Sequence, residues 1–206
     1  MVCVNRTEIR LKIVQAGDPV LRSKARDLSA AEILSSEIQS LIEWMRETML
    51  DAPGVGLAAP QVGLGIRLAV IEDRTEYLRD VKPEVLAERE RQPVAFHVLI
   101  NPQIVERSDE QLEFYEGCLS VSGFSALVKR SRAVTVEYQD ESGTLRRIEA
   151  RGWYARILQH EIDHLNGILY IDRMQPRSFT TLENFGRHWK DIPVQKIRES
   201  LGLPDS

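Results

Sequence analysis

The residues with the clearest chemical potential are two histidines in the segment Gln159-His160-Glu161-Ile162-Asp163-His164. Positions i and i+4 lie on one face of a helix, so the imidazoles of His160 and His164 can converge on one metal ion. Glu161 lies beside them and can take a proton from a water at that ion without itself binding the metal. The alternative is a pair of surface histidines with a helix salt bridge. This spacing is uncommon by chance in an amphipathic helix and favours the metal site.

Two histidines leave such a site incomplete, because a catalytic metal usually has three protein ligands and an open position for water. The sequence offers Cys118, His97, His188 and nearby carboxylates as the third ligand. A thiolate with two imidazoles gives a site of net charge about +1, which still lowers the pKa of a bound water. A free cysteine is more often a small buried apolar residue. Spacing alone does not decide between these interpretations, because Cys118 precedes His160 by 42 residues.

A glycine-rich segment, Gly54-Val55-Gly56-Leu57-Ala58-Ala59-Pro60-Gln61, is the third region with chemical potential. Its small residues allow the backbone to come close to another molecule, and Gln61 offers a neutral amide donor. A phosphate-binding loop is one alternative, but the segment lacks the Lys-Ser/Thr pair and the glycine spacing of the known phosphate motifs. A plain turn is the other.

Two helices are predicted to position these segments. Apolar residues at steps of three and four predict an amphipathic helix from Ser29, its N-cap, to Leu50. A second helix is predicted over 152–165 and ends at Asn166-Gly167, a frequent C-cap pair. A charged insert, residues 72–92, carries five basic and seven acidic residues among 21, which favours a solvated loop or surface helix over a partner-binding segment.

Short strand-like segments occupy most of the remaining chain, at 9–14, 66–71, 96–100, 103–106, 112–115, 126–128, 134–138 and 145–150. The last two are joined by Asp140-Glu141-Ser142-Gly143, a hairpin turn signal. We therefore expect an α+β fold in which antiparallel strands pack around a central metal-binding helix, with an amphipathic helix near the N terminus.

The expected domain organisation is simple. Residues 1–8 are predicted to be a flexible N-terminus, residues 9–176 a single catalytic domain, and residues 177–206 a C-terminal tail with a short helix. Two cysteines, Cys3 and Cys118, cannot build a disulfide framework, which favours a reducing, cytoplasmic setting. An organellar location would require that a transit peptide has been removed.

Composition argues against two classes of partner. Lys and Arg number 27 against 31 Asp and Glu, a net charge of −4, which argues against a general nucleic-acid binder. No apolar run approaches the roughly 18 residues of a membrane span. We expect neither nucleic acid nor a membrane as a partner.

Taken together and in this order, the three segments resemble the motifs of the peptide deformylase family: 54–61, Glu116-Gly117-Cys118-Leu119-Ser120, and 159–164. The resemblance runs from about Ile9 to Met174. It implies a metal-dependent hydrolase that removes the formyl group from the N-terminal methionine of newly synthesised proteins and releases formate. It further implies that metal-bound water attacks the formyl carbon, with Glu161 as general base and acid.

The resemblance also implies a role for each matching residue. The metal ligands are Cys118, His160 and His164, with one ion per chain: Fe(II) physiologically, and zinc, nickel or cobalt as substitutes. The Gln61 side chain and the Leu119 backbone N–H are expected to stabilise the oxyanion. The residues expected to bind substrate are Gly56, through a peptide added as a strand, Gly117, and the methionine-pocket positions Val55, Phe114, Trp153 and Ile157. The implied partners are N-formylmethionyl nascent peptides, and hence the ribosome is nearby.

Some positions depart from the commonest family pattern. Ser122 stands where many members have proline, and Ser125 where many bacterial members have arginine. Trp153 and the charged insert resemble the branch that includes the organellar enzymes of plants and animals. We also expect Arg130 to pair with Asp163.

Two rival functions share parts of this pattern. A zinc endopeptidase of the His-Glu-x-x-His type would offer histidine or glutamate in place of Cys118. A catalytically idle relative that only binds peptide or metal would show the loss of Glu161, Gln61 or Cys118, and all three are present.

Overall fold

A computed structural model describes residues 9–204, so the segment 1–8 that was expected to be flexible lies outside the described residues. The described strands are β1 Gly56–Ala58, β2 Leu68–Asp73, β3 Val94–Arg107, β4 Gln111–Cys118, β5 Val121–Ser131, β6 Ala133–Gln139, β7 Leu145–Arg151 and β8 Thr180–Thr181. The described α-helices are α1 Ala30–Ile33, α2 Ser36–Asp51, α3 Thr75–Leu78, α4 Pro83–Glu88, α5 Gly152–Leu165, α6 Leu182–Asn184 and α7 Val194–Leu201.

The strands form two antiparallel sheets. Five strands make the larger sheet, in the order β1-β2-β3-β6-β7, and three make the smaller, in the order β4-β5-β8. Helix α5 packs against strands of both sheets. The predicted α+β fold, with antiparallel strands around a central helix, is confirmed.

Strand β2 is buried on both faces of the larger sheet. Ala69 and Ile71 belong to the apolar cluster that contains the buried residues of α5. The alternate residues Leu68 and Val70 belong to the cluster that contains the buried face of α2. Successive side chains of a strand point to opposite faces of the sheet, so α2 and α5 cover the two faces.

The helix predicted from Ser29 to Leu50 is two helices. Ser29 caps α1 through a capping box with Glu32. Ser35 then caps α2, because its side chain accepts a hydrogen bond from the backbone N–H of Ile38. Serine side chains compete for backbone N–H groups in this way and favour a new helix start over continuation. The buried face of α2 comprises Leu41, Ile42, Met45, Thr48 and Met49.

The segment 9–14, which was predicted as a strand, is extended but belongs to neither sheet. The Val14 N–H donates to the Gln61 carbonyl at 2.9 Å, and the Leu11 N–H donates to the Thr48 hydroxyl at 2.9 Å. Leu11 and Ile13 pack against the α2 cluster. The alternating apolar residues therefore mark the buried side of an extended segment. Its backbone N–H groups donate to residues outside both sheets.

The segment after residue 176 returns to the smaller sheet. Strand β8 pairs with β5, with Phe124 opposite Thr181. Helix α7 lies within residues 177–206, where a short helix was expected, and buries Ile197. Its Arg198 forms an ion pair with Glu113. Among residues 9–204, no helix is long and apolar enough to cross a membrane.

Candidate active site

Three side chains converge where β4 meets α5. The ligand atoms of Cys118, His160 and His164 all lie within 4.8 Å of one another, and Sγ of Cys118 lies 3.3 Å from Nε2 of His164. Ligands of one tetrahedral ion lie about 3.5 Å apart when metal–ligand bonds are about 2.0–2.3 Å long. One sulfur and two imidazole nitrogens are also a ligand set that zinc and iron accept. Both the spacing and the chemistry therefore fit a single metal ion.

Local structure explains this convergence. Strand β4 pairs regularly with β5 up to Gly117, and the register shifts between Gly117 and Cys118, which turns the thiol away from the ladder. Helix α5 has the bounds predicted from sequence and carries His160 and His164 on one face, with ring centroids 4.9 Å apart. His97 and His188, the other histidines considered as ligands, are not part of the cluster; His97 contacts the Tyr154 hydroxyl at 3.0 Å instead.

Glu116 lies behind the cluster as a buried carboxylate. It accepts hydrogen bonds of 2.9 Å from two nitrogens of Arg130, one of 2.5 Å from Arg156, and one of 3.0 Å from Nδ1 of His160. Burial opposes ionisation of Glu116, but the charges and hydrogen bonds of its partners, Arg130 foremost, hold its pKa well below the usual range. The network therefore places a fixed negative charge against the outer nitrogen of a predicted ligand.

A second buried carboxylate continues this network. Arg130 also pairs with Asp163, as predicted, and Asp163 accepts hydrogen bonds of 2.7 and 2.8 Å from Arg173. Burying an ion pair costs desolvation energy, which is offset when each charge has several hydrogen bonds. The paired charges fix α5 relative to β5.

Glu161 is 4% exposed and lies beside the cluster. Burial raises its pKa to about 7, and its Oε2 atom has no hydrogen-bond partner among the described residues. Gly56 lies directly against it, because a Cβ built on Gly56 would be 2.3 Å from Oε1 of Glu161. The glycine thus permits β1 to approach this carboxylate.

The Gln61 side chain is buried, with 2% of it exposed, and both its amide oxygen and its amide nitrogen have polar neighbours. Its Oε1 accepts a hydrogen bond of 2.9 Å from the Ala58 backbone N–H. Its Nε2 lies 3.5 Å from the sulfur of Cys118 and 3.4 Å from the hydroxyl of Ser120. The amide donor of Gln61 therefore faces the cluster. Leu119 follows Cys118 in the turn, and its carbonyl accepts a hydrogen bond of 2.9 Å from Gln15.

A cavity of about 400 Å³ opens beside these residues. Of the positions predicted to contact a substrate, its lining includes Val55, Gly56, Gly117, Trp153 and Ile157. Phe114 is not in the lining; its ring packs near Trp153, with centroids 6.5 Å apart, and lines a neighbouring cavity.

Sequence reasoning missed several residues that line the cavity, among them Arg156, Phe124 and Leu182. Arg156 lies one helical turn before His160, and a charged residue on the buried face of a helix is a usable signal. Phe124 and Leu182 come from β5 and α6, and the sequence carries no local sign that these segments meet at the cavity.

The comparisons with known proteins agree with this geometry. The family model described as polypeptide deformylase matches residues 10–179. The chain is 44% identical over 191 residues to peptide deformylase 1A, chloroplastic, of Solanum lycopersicum, covering 93% of this chain and 67% of the relative. It is 47% identical over 194 residues to peptide deformylase 1 of Bifidobacterium longum, covering 94% and 86%.

Solved structures of peptide deformylases are also similar to this chain. A Met-Ala-Ser-bound class I type b peptide deformylase from Acinetobacter baumannii superposes with a TM-score of 0.73 at 35% identity, covering 81% of this chain and 99% of that one. The peptide deformylase of Thermotoga maritima superposes with a TM-score of 0.66 at 38% identity, covering 81% and 99%.

Proposed function

Because the chain belongs to the peptide deformylase family, enzymes that remove the N-formyl group from nascent peptides, we propose that Cys118, His160 and His164 bind one divalent metal ion beside which Glu161 is the general base and acid. The convergence of the three ligand atoms within 4.8 Å carries the proposal. When bound there, the ion supplies a water of lowered pKa and Lewis-acid polarisation of the formyl group.

We propose Fe(II) as the physiological ion, with zinc, nickel or cobalt able to occupy the same ligands. The family is metal-dependent, and the thiolate suits each of these borderline ions. An iron enzyme should lose activity during aerobic purification and regain it on prompt loading with cobalt or nickel, whereas indifference to oxygen would favour zinc.

Glu161 is proposed to carry the proton that passes from the attacking water to the leaving amine. Burial raises the pKa of Glu161, which suits a carboxylate that must hold a proton between accepting it and donating it. It takes a proton from the water that attacks the formyl carbon and delivers it to the amine nitrogen as the bond between that carbon and the nitrogen breaks. Its unpartnered Oε2 atom is free to make these contacts.

Gln61 and Leu119 are proposed to stabilise the negative charge on the formyl oxygen. The Gln61 amide is oriented in advance because its oxygen is already bonded to the Ala58 N–H, which leaves the Nε2 donor facing the cluster. A donor fixed before the reaction contributes about 3–4 kcal/mol to transition-state stabilisation in comparable sites.

The substrate peptide is proposed to bind as an added strand. Strand β1 is the outer strand of the larger sheet and β4 the outer strand of the smaller sheet. Gly56 belongs to β1 and Gly117 to β4, and both line the cavity. Outer strands present unpaired backbone groups to a peptide. The Acinetobacter baumannii relative bound to Met-Ala-Ser supports a short peptide as the ligand of this cavity.

The methionine side chain is proposed to lie against Val55, Trp153 and Ile157, which line the cavity. Phe114 would contribute through the contact of its ring with the Trp153 ring. Since the substrates are nascent chains, we further propose that the enzyme acts near ribosomes, in the bacterial cytoplasm or in an organelle with formylated initiation.

A formate-release assay tests this function. The metal-loaded protein should release formate from formyl-Met-Ala-Ser, leave internal peptide bonds intact, and release none from unformylated Met-Ala-Ser. Metal analysis on the same sample should give one ion per chain. Cleavage of internal bonds would favour the endopeptidase, and metal or peptide binding without turnover would favour the idle relative.

A further inference from the structure

The charged insert, residues 72–92, is closed at its base by a buried ion pair. Asp73, at the end of β2, accepts two hydrogen bonds of 2.8 Å from Arg91, which follows α4. The Asp73 side chain is fully buried and that of Arg91 is 12% exposed. Bidentate arginine–carboxylate pairs have a fixed geometry. The segment that precedes β3 therefore has a defined position.

Two arginines of this segment lie over Trp153. The guanidinium carbons of Arg89 and Arg91 lie 5.0 and 5.2 Å from the Trp153 ring, within the range of a cation–π interaction. Arg89 also lies 5.5 Å from the Phe114 ring. The indole thus contacts both the insert and the Phe114 ring.

The backbone of the insert also contacts the start of α5. Gly152 has φ +58°, and a Cβ there would lie 2.4 Å from Cβ of Glu90 and 2.8 Å from the Arg89 carbonyl. The Glu90 carboxylate is bonded by Arg132 at 2.6 Å and paired with Arg151 at 3.4 Å. The end of the insert and the first turn of α5 therefore pack as one unit.

We propose that Arg89 and Arg91 are positioning residues that hold the Trp153 indole in the cavity wall and thereby determine which N-terminal side chain the enzyme accepts. The inference rests on the proposed function, because it takes this cavity as the methionine pocket. Trp153 lines the cavity, whereas Arg89 and Arg91 do not, so both arginines act on the substrate through the indole. Without them the indole moves and the cavity discriminates less between side chains.

Kinetics of matched arginine variants test this assignment. In metal-loaded Arg89→Ala and Arg91→Ala, KM for formyl-Met-Ala-Ser should rise about fivefold with kcat within about twofold, and the preference for formyl-Met-Ala-Ser over formyl-Ala-Ala-Ser should fall about fivefold. Arg74→Ala is the control, because Arg74 belongs to the same insert but pairs with Glu76 on the surface. Its kinetics should equal those of the wild type.

Arg89→Ala is the decisive variant, since Arg89 has no ion pair among residues 9–204 and its loss leaves no buried carboxylate unpaired. A spectroscopic measurement accompanies it: with Trp44→Phe and Trp189→Phe, Trp153 is the single tryptophan. Arg89→Ala should shift its emission to longer wavelength and increase its quenching by acrylamide. Unchanged selectivity together with unchanged emission and quenching would overturn the proposal.

The two proposals fail in different ways. If the wild type releases no formate from the formylated peptide, the proposed function is wrong, while the fluorescence of Trp153 still reports whether Arg89 holds the indole. If the wild type is active and selective but Arg89→Ala matches it in both measurements, only the positioning role is wrong.

Discussion

The Glu116 carboxylate lies 3.0 Å from Nδ1 of His160 and accepts its hydrogen bond. A proton held on Nδ1 leaves the lone pair on Nε2, the nitrogen that a metal needs. Glu116 is itself held by Arg130 and Arg156, so the ring orientation of His160 depends on a network that reaches into β5.

Replacing Glu116 with glutamine should weaken metal binding about 10- to 100-fold, because a neutral amide orients the imidazole less strongly. The measurement is competition with a metal chelator. Asp163→Asn is the matched control: it also removes a buried partner of Arg130 but does not contact His160. Equal losses in the two variants would show that the buried charges, and not the orientation of His160, determine the affinity.

Cys118→Ala should abolish tight metal binding, since it removes the one sulfur ligand and leaves two imidazoles. Elemental analysis after dialysis measures the ion, with Cys3→Ala, the other cysteine of the chain, as the control. A full complement of metal in Cys118→Ala would remove Cys118 from the ligand set.

Glu161→Ala should retain the metal and lose about 10²- to 10⁴-fold in kcat, the usual contribution of general acid–base catalysis. Formate release gives the rate, and metal analysis of the same preparation checks that the ion is present. Activity within about threefold of the wild type would contradict the assignment of the base.

Gly56→Ala should lower kcat by a factor of about 10 or more, because the added methyl group would displace the Glu161 carboxylate, and a shift of about 1 Å can cost about 100-fold. Gly65→Ala is the control, since a Cβ there meets no atom within 4 Å. Thermal unfolding of both variants separates displacement of the base from loss of structure. A Gly56→Ala enzyme with the wild-type kcat would show that β1 does not constrain Glu161.

Protonation of His97 should make the free energy of unfolding depend on pH. Burial lowers its pKa below 6.5, while the Ala95 carbonyl and the charge of Glu141 oppose that shift and Tyr154 donates to its Nε2. His97 binds a proton at higher pH in the unfolded chain than in the folded chain. The neutral imidazole therefore stabilises the fold fully above about pH 6.5, and this stabilisation is lost as the pH falls through the folded pKa.

His97→Gln should therefore flatten the free energy of unfolding between about pH 7 and pH 5 relative to the wild type. Chemical denaturation of the metal-loaded protein at each pH measures it, with the exposed His188→Gln as the control. Parallel curves for His97→Gln and the wild type would contradict the prediction.

The elements that carry the chemistry could be predicted because their signals are local. The bounds of α5 follow from helical periodicity between Gly152 and the C-cap pair, and the histidine spacing fixes their common face. The hairpin of β6 and β7 follows from its turn residues, with Gln139 opposite Leu145.

The remainder depends on contacts between distant segments. Cys118 lies beside the two histidines of α5 because β4 ends next to that helix. The spacing of these residues in the sequence could not establish this contact. The same holds for Arg156, whose partner Glu116 lies 40 positions away. It also holds for Phe114, which contacts Trp153 and lies outside the cavity lining. The break at Ser35 was missed because a second capping serine looks like an ordinary polar residue of a helix.

The pairing of β8 with β5 has a consequence for solubility. Exposed outer strands can join those of other molecules and start aggregation. Here β8 covers one border of the smaller sheet, and the outer strand β7 of the larger sheet carries Arg146, Arg147, Glu149 and Arg151, whose charges disfavour such joining. The outer strands β1 and β4 carry the cavity-lining Gly56 and Gly117, so the proposed peptide would add at the cleft, while the charges of β7 disfavour self-association through that strand.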